Sequence, residues 1–185
     1  MRDFTQYDVI FLDIDDTIVS GFWTRLMHIT WNVFRNNFIS DILMTIQNFF
    51  NIYKPNIRLL HYIDSHPLIY VLTARKACRA TKDMLRKIFT DRYVITYDEL
   101  EEGGGLFSDA ILEKDGLVVL VELGTDHVAE EKWACAAEVL NYISLVCETL
   151  PKSCIFDDNK EVRFIFGKNG QDAFDPTTLL EKEVG

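Results

Sequence analysis

The sequence predicts a three-layer α/β sandwich with a mostly parallel five-stranded sheet, a small helical insert and a β-hairpin. Short runs of uninterrupted apolar residues recur along the chain, as expected for strands buried on both faces of a parallel sheet. Amphipathic helical patterns lie between these runs, which is the alternation typical of βαβ units. The chain has 185 residues, enough for one substantial core and too few for two large ones. We therefore expect a single Rossmann-like domain over residues 1–185.

The first strand is predicted at Val9–Leu12, where four apolar residues are followed abruptly by Asp13, Asp15 and Asp16. The carboxyl ends of parallel strands form the ligand crevice of an open α/β sheet, so Asp13 and Asp15 are expected on a turn that faces one site. Carboxylates held so close repel each other unless a cation or a shared proton relieves them. A bound divalent metal ion would relieve this repulsion and is therefore predicted here.

An aromatic-rich segment with few charges follows, and about residues 20–56 are predicted to form a helical insert or minimal cap. Polar residues interrupt it too often for a membrane span. The apolar spacing between Ile39 and Phe50 favours two helices, which end before Lys54-Pro55. Packing on the sheet or as a cap is the favoured interpretation, and docking of a partner and membrane contact are the alternatives. Another short helix is expected at residues 57–64.

The middle of the chain alternates strands and helices. Residues 68–73 form an apolar run that ends in a hydroxyl, a helix is expected over 76–89, and the next strand over 93–97. Between residues 75 and 92, seven Lys or Arg face two Asp, a net charge of +5. This basic helix face is predicted to border the site at the carboxyl ends of the strands and to attract an anion there, and a merely solvated face is the alternative.

A flexible acidic loop and a β-hairpin are expected next. The loop is predicted over residues 99–105, and the hairpin has arms at 110–114 and 117–123 around a two-residue turn. Four elements complete the chain: a helix over 128–143, a strand over 153–156, a short helix over 160–166 and an edge strand near 172–174.

Composition excludes several classes of function. The net charge of −10 disfavours sequence-independent binding of nucleic acid, because a phosphate backbone would be repelled. The four cysteines show no metal-type spacing, so they are expected to be free thiols in a reducing compartment. The amino terminus lacks the apolar run of a signal peptide, and a cytoplasmic location is expected. No Cys is followed by five residues and then an Arg, which argues against cysteine-based phosphatase chemistry.

Four motifs, in order, resemble those of the haloacid dehalogenase superfamily of phosphatases over roughly residues 7–166. The motifs are Asp13-Ile14-Asp15-Asp16-Thr17 after the first strand, Thr73 at the end of the second, Lys132 near the start of a helix, and Asp157-Asp158 after a later strand. Asp16 stands where many members of the superfamily have Gly. The resemblance implies the fold described above, with a minimal cap.

The resemblance also implies a reaction, the magnesium-dependent hydrolysis of phosphomonoesters through an aspartyl-phosphate. Its motifs make Asp13 the nucleophile and Asp15 the general acid and base. Thr73 and Lys132 would hold the phosphoryl oxygens, although Lys114, Lys152 and Lys160 also lie near the motifs. The Mg²⁺ ligands would be Asp13, the carbonyl of Asp15, and Asp157, assisted by Asp158. Thr17 and Arg75 are assigned to substrate binding.

The expected substrate follows from the small cap, because an open site of this kind admits a phosphate carried on a macromolecule. A phosphorylated protein is therefore favoured, and phosphotyrosine in particular, since Phe22 and Trp23 would suit an aromatic ring. The alternatives are a phosphatase for a nucleotide or small phosphometabolite and, in another class, a non-catalytic interaction module. Some capless members are effectors of bacterial pathogens, which makes a host cytosol the alternative location. The sequence leaves the oligomeric state open.

Overall fold

A computed structural model gives the fold of the chain. It describes residue 4 and residues 6–20, 53–63, 66–102, 116–124 and 127–178, with a few single positions between 39 and 50. Phe22, Trp23 and most of the expected insert lie outside the described residues, so the cap and its aromatic flap stay predictions. The same holds for Lys114 and the first arm of the expected hairpin.

A parallel sheet of six strands forms the centre of the molecule, where five were predicted. Its spatial order is β5-β6-β4-β1-β7-β8, and every neighbouring pair of strands in it is parallel. Two further short strands, β2 and β3, form an antiparallel pair. The strands are β1 Val9–Leu12, β2 Val19–Ser20, β3 Lys54–Pro55, β4 Leu68–Thr73, β5 Tyr93–Thr96, β6 Leu117–Glu122, β7 Ser153–Phe156 and β8 Asp172–Phe174.

Helices cover both faces of the sheet, as the three-layer prediction requires. The helices of the described residues with assigned bounds are α1 Ile57–Ile63, α2 Arg79–Ile88, α3 Tyr97–Glu102, α4 Val128–Cys147 and α5 Lys160–Lys168. Ile10 and Leu12 of β1 belong to the core that includes residues of α1 and α2. Val9 and Phe11 belong to the opposite core, with residues of α3, α4 and α5. The alternating directions of strand side chains explain how one strand serves two cores.

The position of β1 decides where a ligand can bind. All four of its residues are fully buried, and the strand pairs with β4 on one side and β7 on the other. The chain passes from β1 to β4 in one direction of the sheet and later crosses back to β7 in the other. Such a reversal opens a crevice at the carboxyl ends of the strands. The acidic turn after β1 lies at this crevice.

The second hairpin arm predicted for the middle of the chain is wrong. Residues 117–123 were expected to be the second arm of a hairpin, but Leu117–Glu122 is β6, an interior strand that pairs in parallel with both β4 and β5. Its first five residues are all buried, and a strand with no polar alternation belongs inside a parallel sheet. This strand is the sixth strand of the sheet, which the prediction of five strands omitted.

The predicted acidic loop also needs correction. Residues 97–102 form α3, and Tyr97 begins this helix instead of ending β5. The Thr96 hydroxyl accepts from the Glu99 amide, and the Glu99 carboxylate accepts from the Thr96 amide. This reciprocal capping box satisfies backbone donors that a helix start leaves unpaired. The Thr-x-x-Glu spacing was the available signal in the sequence, and the prediction of a loop overlooked it.

Other expected elements are confirmed. The strand at 153–156 and the edge strand at 172–174 have the predicted bounds, and the helices predicted at 57–64, 76–89, 128–143 and 160–166 differ from the observed ones only near their ends. No helix in the described part of the chain is long and apolar enough to cross a bilayer.

Candidate active site

Three adjacent strands deliver motif residues to one edge of the sheet. Asp13 directly follows β1, Thr73 is the last residue of β4, and Asp157 directly follows β7. The Asp13 amide donates to the Phe156 carbonyl at 3.0 Å, which continues the pairing of β1 and β7 to the point where both acids emerge. Parallel strands meet at a common edge with their carboxyl ends. Their local sequence pattern therefore suffices to bring these side chains near one another.

Lys132 joins this group from the first turns of α4. Its Nζ donates to Asp13 Oδ1 at 2.7 Å and to Asp157 Oδ2 at 2.6 Å. Lys132 is only 3% exposed and Asp157 is fully buried. A buried ammonium held by two carboxylates satisfies charges that would be costly alone. The structure thus places Lys132 between the first and fourth motifs, whereas Lys160 is exposed at the start of α5.

Burial and charge act strongly on these groups. Burial raises the pKa of Asp13 to about 7; Lys132 opposes this shift, and Asp157 and Asp15 add to it. For Lys132, burial acts to lower the pKa, but attraction to Asp13 and Asp157 outweighs it and raises the pKa to about 12. Burial also raises the pKa of Asp158, with Asp157 and Asp16 acting in the same direction. Burial and repulsion among the carboxylates at this site are therefore only partly offset by Lys132.

Asp13, Asp157 and Asp158 could hold a metal ion. One carboxylate oxygen from each lies within 4.8 Å of the others, and Asp158 is exposed while the other two are buried. The backbone amide of Asn159 donates to Asp157 Oδ1 at 2.8 Å and holds that carboxylate in place. Hard oxygen donors on a partly open site suit Mg²⁺, which keeps several waters. The residues present fit magnesium; the predicted carbonyl ligand from Asp15 stays a prediction.

The side chain of Asp15 points to a different partner. Arg75 Nε donates to Asp15 Oδ2 at 2.8 Å, and Arg75 Nη2 donates to Asp15 Oδ1. The two side chains are 5% and 15% exposed. The Arg75 amide also donates to Thr73 Oγ1 at 3.1 Å. This two-point contact between guanidinium and carboxylate, which gives a fixed geometry, was not predicted from the sequence.

Two polar atoms at this edge lack partners. Among the described residues, the buried side-chain atoms with no hydrogen-bond partner are Thr17 Oγ1, Arg75 Nη1 and Tyr70 Oη. Thr17 lies on the turn after β1, and Arg75 on the loop after β4. A buried donor without an acceptor costs about 1–3 kcal/mol, and more if it is charged. Both residues were assigned to substrate binding, and both have unused hydrogen-bonding capacity at the candidate site.

Other contacts that support the site were missed at the sequence level. Arg163 Nη1 donates to the Asp157 carbonyl at 2.6 Å, and Glu122 Oε2 accepts from the Ala77 amide at 2.7 Å. Asn159 caps α5 by accepting from the Glu161 amide, and an Asn directly before a helix was the available signal. For Arg163 and Glu122 the sequence carries no comparable signal, because both contacts depend on how distant segments pack.

The basic face of α2 is less available than its net charge indicates. Lys82 pairs with Glu99 of α3, and Arg79 and Arg86 both lie within ion-pair distance of Asp83. Partners at the surface neutralise part of the positive charge, although each such pair adds little stability. That this face attracts phosphate stays a prediction. The ion pairs would make such attraction weaker than the net charge indicates.

The turn after β1 contains a strained residue. Asp16 has φ of 54°, in the left-handed region that favours glycine, while the Ile14 carbonyl accepts from the amides of both Ile18 and Val19. These hydrogen bonds close the turn tightly. An Asp tolerates this conformation better than most residues but still at some cost. The strain explains why glycine would suit this position of the motif.

We expect Asp16→Gly to stabilise the protein by about 0.5 kcal/mol, because glycine adopts positive φ without strain. Asp16→Ala is the matched control: it removes the same charge but keeps a Cβ, so it should destabilise by about 1 kcal/mol. Urea unfolding of the three proteins in excess chelator measures both effects. Equal stabilities for the Gly and Ala variants would show that the backbone conformation contributes nothing.

Comparison with known proteins returned no family model, no curated protein and no solved structure that matches this chain. Membership of the haloacid dehalogenase superfamily accordingly stays a resemblance carried by the four motifs.

Proposed function

We propose that this protein is a magnesium-dependent phosphomonoester hydrolase that forms an aspartyl-phosphate on Asp13. One observation carries the proposal: the Lys132 ammonium bridges the carboxylates of Asp13 and Asp157, with an oxygen of Asp158 in the same cluster. This arrangement combines a nucleophile, a fixed cation and the ligands for a metal. Phosphoryl transfer needs these elements, because its catalysis is mainly positioning and charge stabilisation.

In the first step, a carboxylate oxygen of Asp13 attacks the phosphorus. Lys132 donates to Asp13 Oδ1 and so fixes the orientation of the carboxylate that forms the new P–O bond. The bond between phosphorus and the ester oxygen breaks, and Asp15, which must enter this step protonated, gives its proton to the leaving oxygen and becomes a carboxylate. Bound magnesium would screen the repulsion between the carboxylates and the phosphate oxygens.

In the second step, water attacks the phosphorus of the aspartyl-phosphate. Asp15, now ionised, accepts a proton from that water, and the bond between phosphorus and the Asp13 oxygen breaks. The products are inorganic phosphate and the regenerated Asp13 carboxylate. Lys132 remains charged throughout at neutral pH, since its pKa is raised to about 12, and its charge stabilises the negative charge that develops at the site.

Phosphorylated proteins, and phosphotyrosine in particular, are the proposed substrates. The support is the minimal cap expected from the sequence, because an open crevice accepts a phosphate on a large partner. Thr17 Oγ1 and Arg75 Nη1, which have no partner among the described residues, would receive phosphate oxygens. These donors recognise the phosphate itself and do not distinguish one ester from another.

A kinetic panel tests the function and its metal requirement. With magnesium we expect hydrolysis of nitrophenyl phosphate, and of a phosphotyrosine peptide with higher kcat/KM than a phosphoserine peptide, a nucleotide or a sugar phosphate. Excess chelator should remove the activity and added magnesium should restore it, because the acidic cluster repels phosphate without a cation. Full turnover in chelator would exclude the mechanism, and a preference for the nucleotide or sugar phosphate would exclude the proposed substrate.

A further inference from the structure

The Asp15 carboxylate is occupied on both of its oxygens. Arg75 Nε and Nη2 take one oxygen each, and the pair is almost fully shielded from solvent. Asp15 follows β1 and Arg75 follows β4, so two neighbouring strands each supply one partner. A planar guanidinium that grips both oxygens fixes the plane of the carboxylate as well as its position. Arg75 therefore determines where Asp15 points.

The loop that carries Arg75 is itself held in place. Its backbone amide donates to Thr73 Oγ1, and the next amide but one, that of Ala77, donates to Glu122 at the end of β6. The Lys76 carbonyl accepts from the Thr81 hydroxyl of α2 at 2.8 Å. These contacts anchor the loop to β4, β6 and α2. The guanidinium is therefore positioned by the surrounding structure and can act as a fixed binding group.

One donor of this guanidinium is unused. Nη1 is buried and has no partner among the described residues, although it lies on the same rigid plane as the two nitrogens that hold Asp15. A cationic donor left unpaired is more costly than a neutral one, and an anionic acceptor offsets that cost best. The same residue contacts the Thr73 hydroxyl through its backbone amide, and its partner Asp15 lies two residues after the proposed nucleophile Asp13. A phosphate oxygen is the acceptor that this setting favours.

We propose that Arg75 has two functions at once: Nε and Nη2 position Asp15, and Nη1 binds a non-bridging oxygen of the phosphate ester. The inference rests on the proposed function for the role of Asp15. Because one rigid group would contact both partners, the position of the Asp15 carboxylate relative to the bound phosphate would be fixed. Lysine cannot replace it, since a single ammonium lacks the planar fork.

The first test measures binding of inorganic phosphate by calorimetry to the magnesium-saturated protein. Arg75→Lys keeps the charge but removes the fork, so phosphate affinity should fall about tenfold or more, the effect expected for a charge-assisted hydrogen bond. Arg58→Lys is the matched control, because Arg58 is an exposed arginine on α1; the phosphate affinity of this variant should match that of the natural protein. Unchanged affinity in Arg75→Lys would overturn the proposal.

The second test separates positioning of Asp15 from a general structural role. For Arg75→Lys, kcat should fall about tenfold further with an alkyl phosphate than with nitrophenyl phosphate, because only the alkyl leaving oxygen depends strongly on a proton donor. Damage to the fold would lower kcat for both esters by the same factor. Equal losses would therefore overturn the positioning function.

Asp15→Asn keeps the proposal testable if Arg75→Lys does not fold. This variant retains Arg75 and removes the negative charge that competes with phosphate for it. Phosphate should therefore bind at least as tightly as it does to the natural protein. Loss of phosphate binding would contradict the proposal. Failure of the proposed function and failure of this inference give different results. If the natural protein binds phosphate through Arg75 but hydrolyses no ester in the panel, the hydrolase fails while phosphate binding by Arg75 stands.

Discussion

Asp13→Asn is expected to abolish both turnover and formation of the phosphoenzyme. The amide keeps the shape of the side chain but lacks the carboxylate that attacks phosphorus. The variant should still bind phosphate esters, since Arg75 and Thr17 are unchanged. Loss of kcat with retained binding, measured by steady-state kinetics and calorimetry, would identify Asp13 as the nucleophile.

Asp15→Asn should have a different effect. Nitrophenolate leaves with little help from a proton donor, so the first step should survive better than the second, which needs Asp15 as a base. The variant should therefore accumulate an aspartyl-phosphate on Asp13. Mass spectrometry of the peptide that contains Asp13 would detect it as an acid-stable, hydroxylamine-labile adduct.

Asp91→Asn provides the control for both variants, because Asp91 is exposed and distant in sequence from the four motifs. Its kinetics should match those of the natural protein. Phosphate on a Ser, His or Cys, or robust turnover by Asp13→Asn, would mean that the nucleophile has been assigned wrongly.

Lys132→Met is expected to lower the free energy of unfolding by about 3–5 kcal/mol in chelator, because it leaves two buried carboxylates without their cation. Magnesium should restore part of the loss, since the ion would then be the main positive charge between Asp13 and Asp157. Urea unfolding with and without magnesium measures both effects. The exposed Lys168 offers a matched control: Lys168→Met should change stability by less than about 0.5 kcal/mol.

The loss in Lys132→Met should grow with pH. The pKa of Asp13 is raised from 3.8 to about 7, so the folded state holds a proton that the unfolded chain releases at lower pH. The stabilisation from this proton is fully present below the unfolded pKa and is lost as pH rises through the folded one. Removing Lys132 raises the folded pKa further, so the deficit should be larger at about pH 8 than at about pH 6. A pH-independent deficit would show that Asp13 is not the group left uncompensated.

Local patterns in the sequence predicted the elements and the ends of the strands well. β7 and β8 have the expected bounds, and the acids that follow β1 and β7 lie at the expected edge. The error at β6 has a physical cause: an apolar run next to a turn signal fits a hairpin arm and an interior parallel strand equally well. Which of the two forms depends on whether both of its edges find partners, and β4 and β5 supply them.

The sequence by itself determined that Asp13, Thr73 and Asp157 lie together, because apolar runs define strands and parallel packing collects their carboxyl ends at one edge. Only the tertiary structure decided which side chains meet there. Lys132 reaches Asp13 across a separation of 119 residues, and Arg75 reaches Asp15 across 60. Contacts of this kind depend on how α4 and the loop after β4 are packed against the sheet, and no local pattern encodes that geometry.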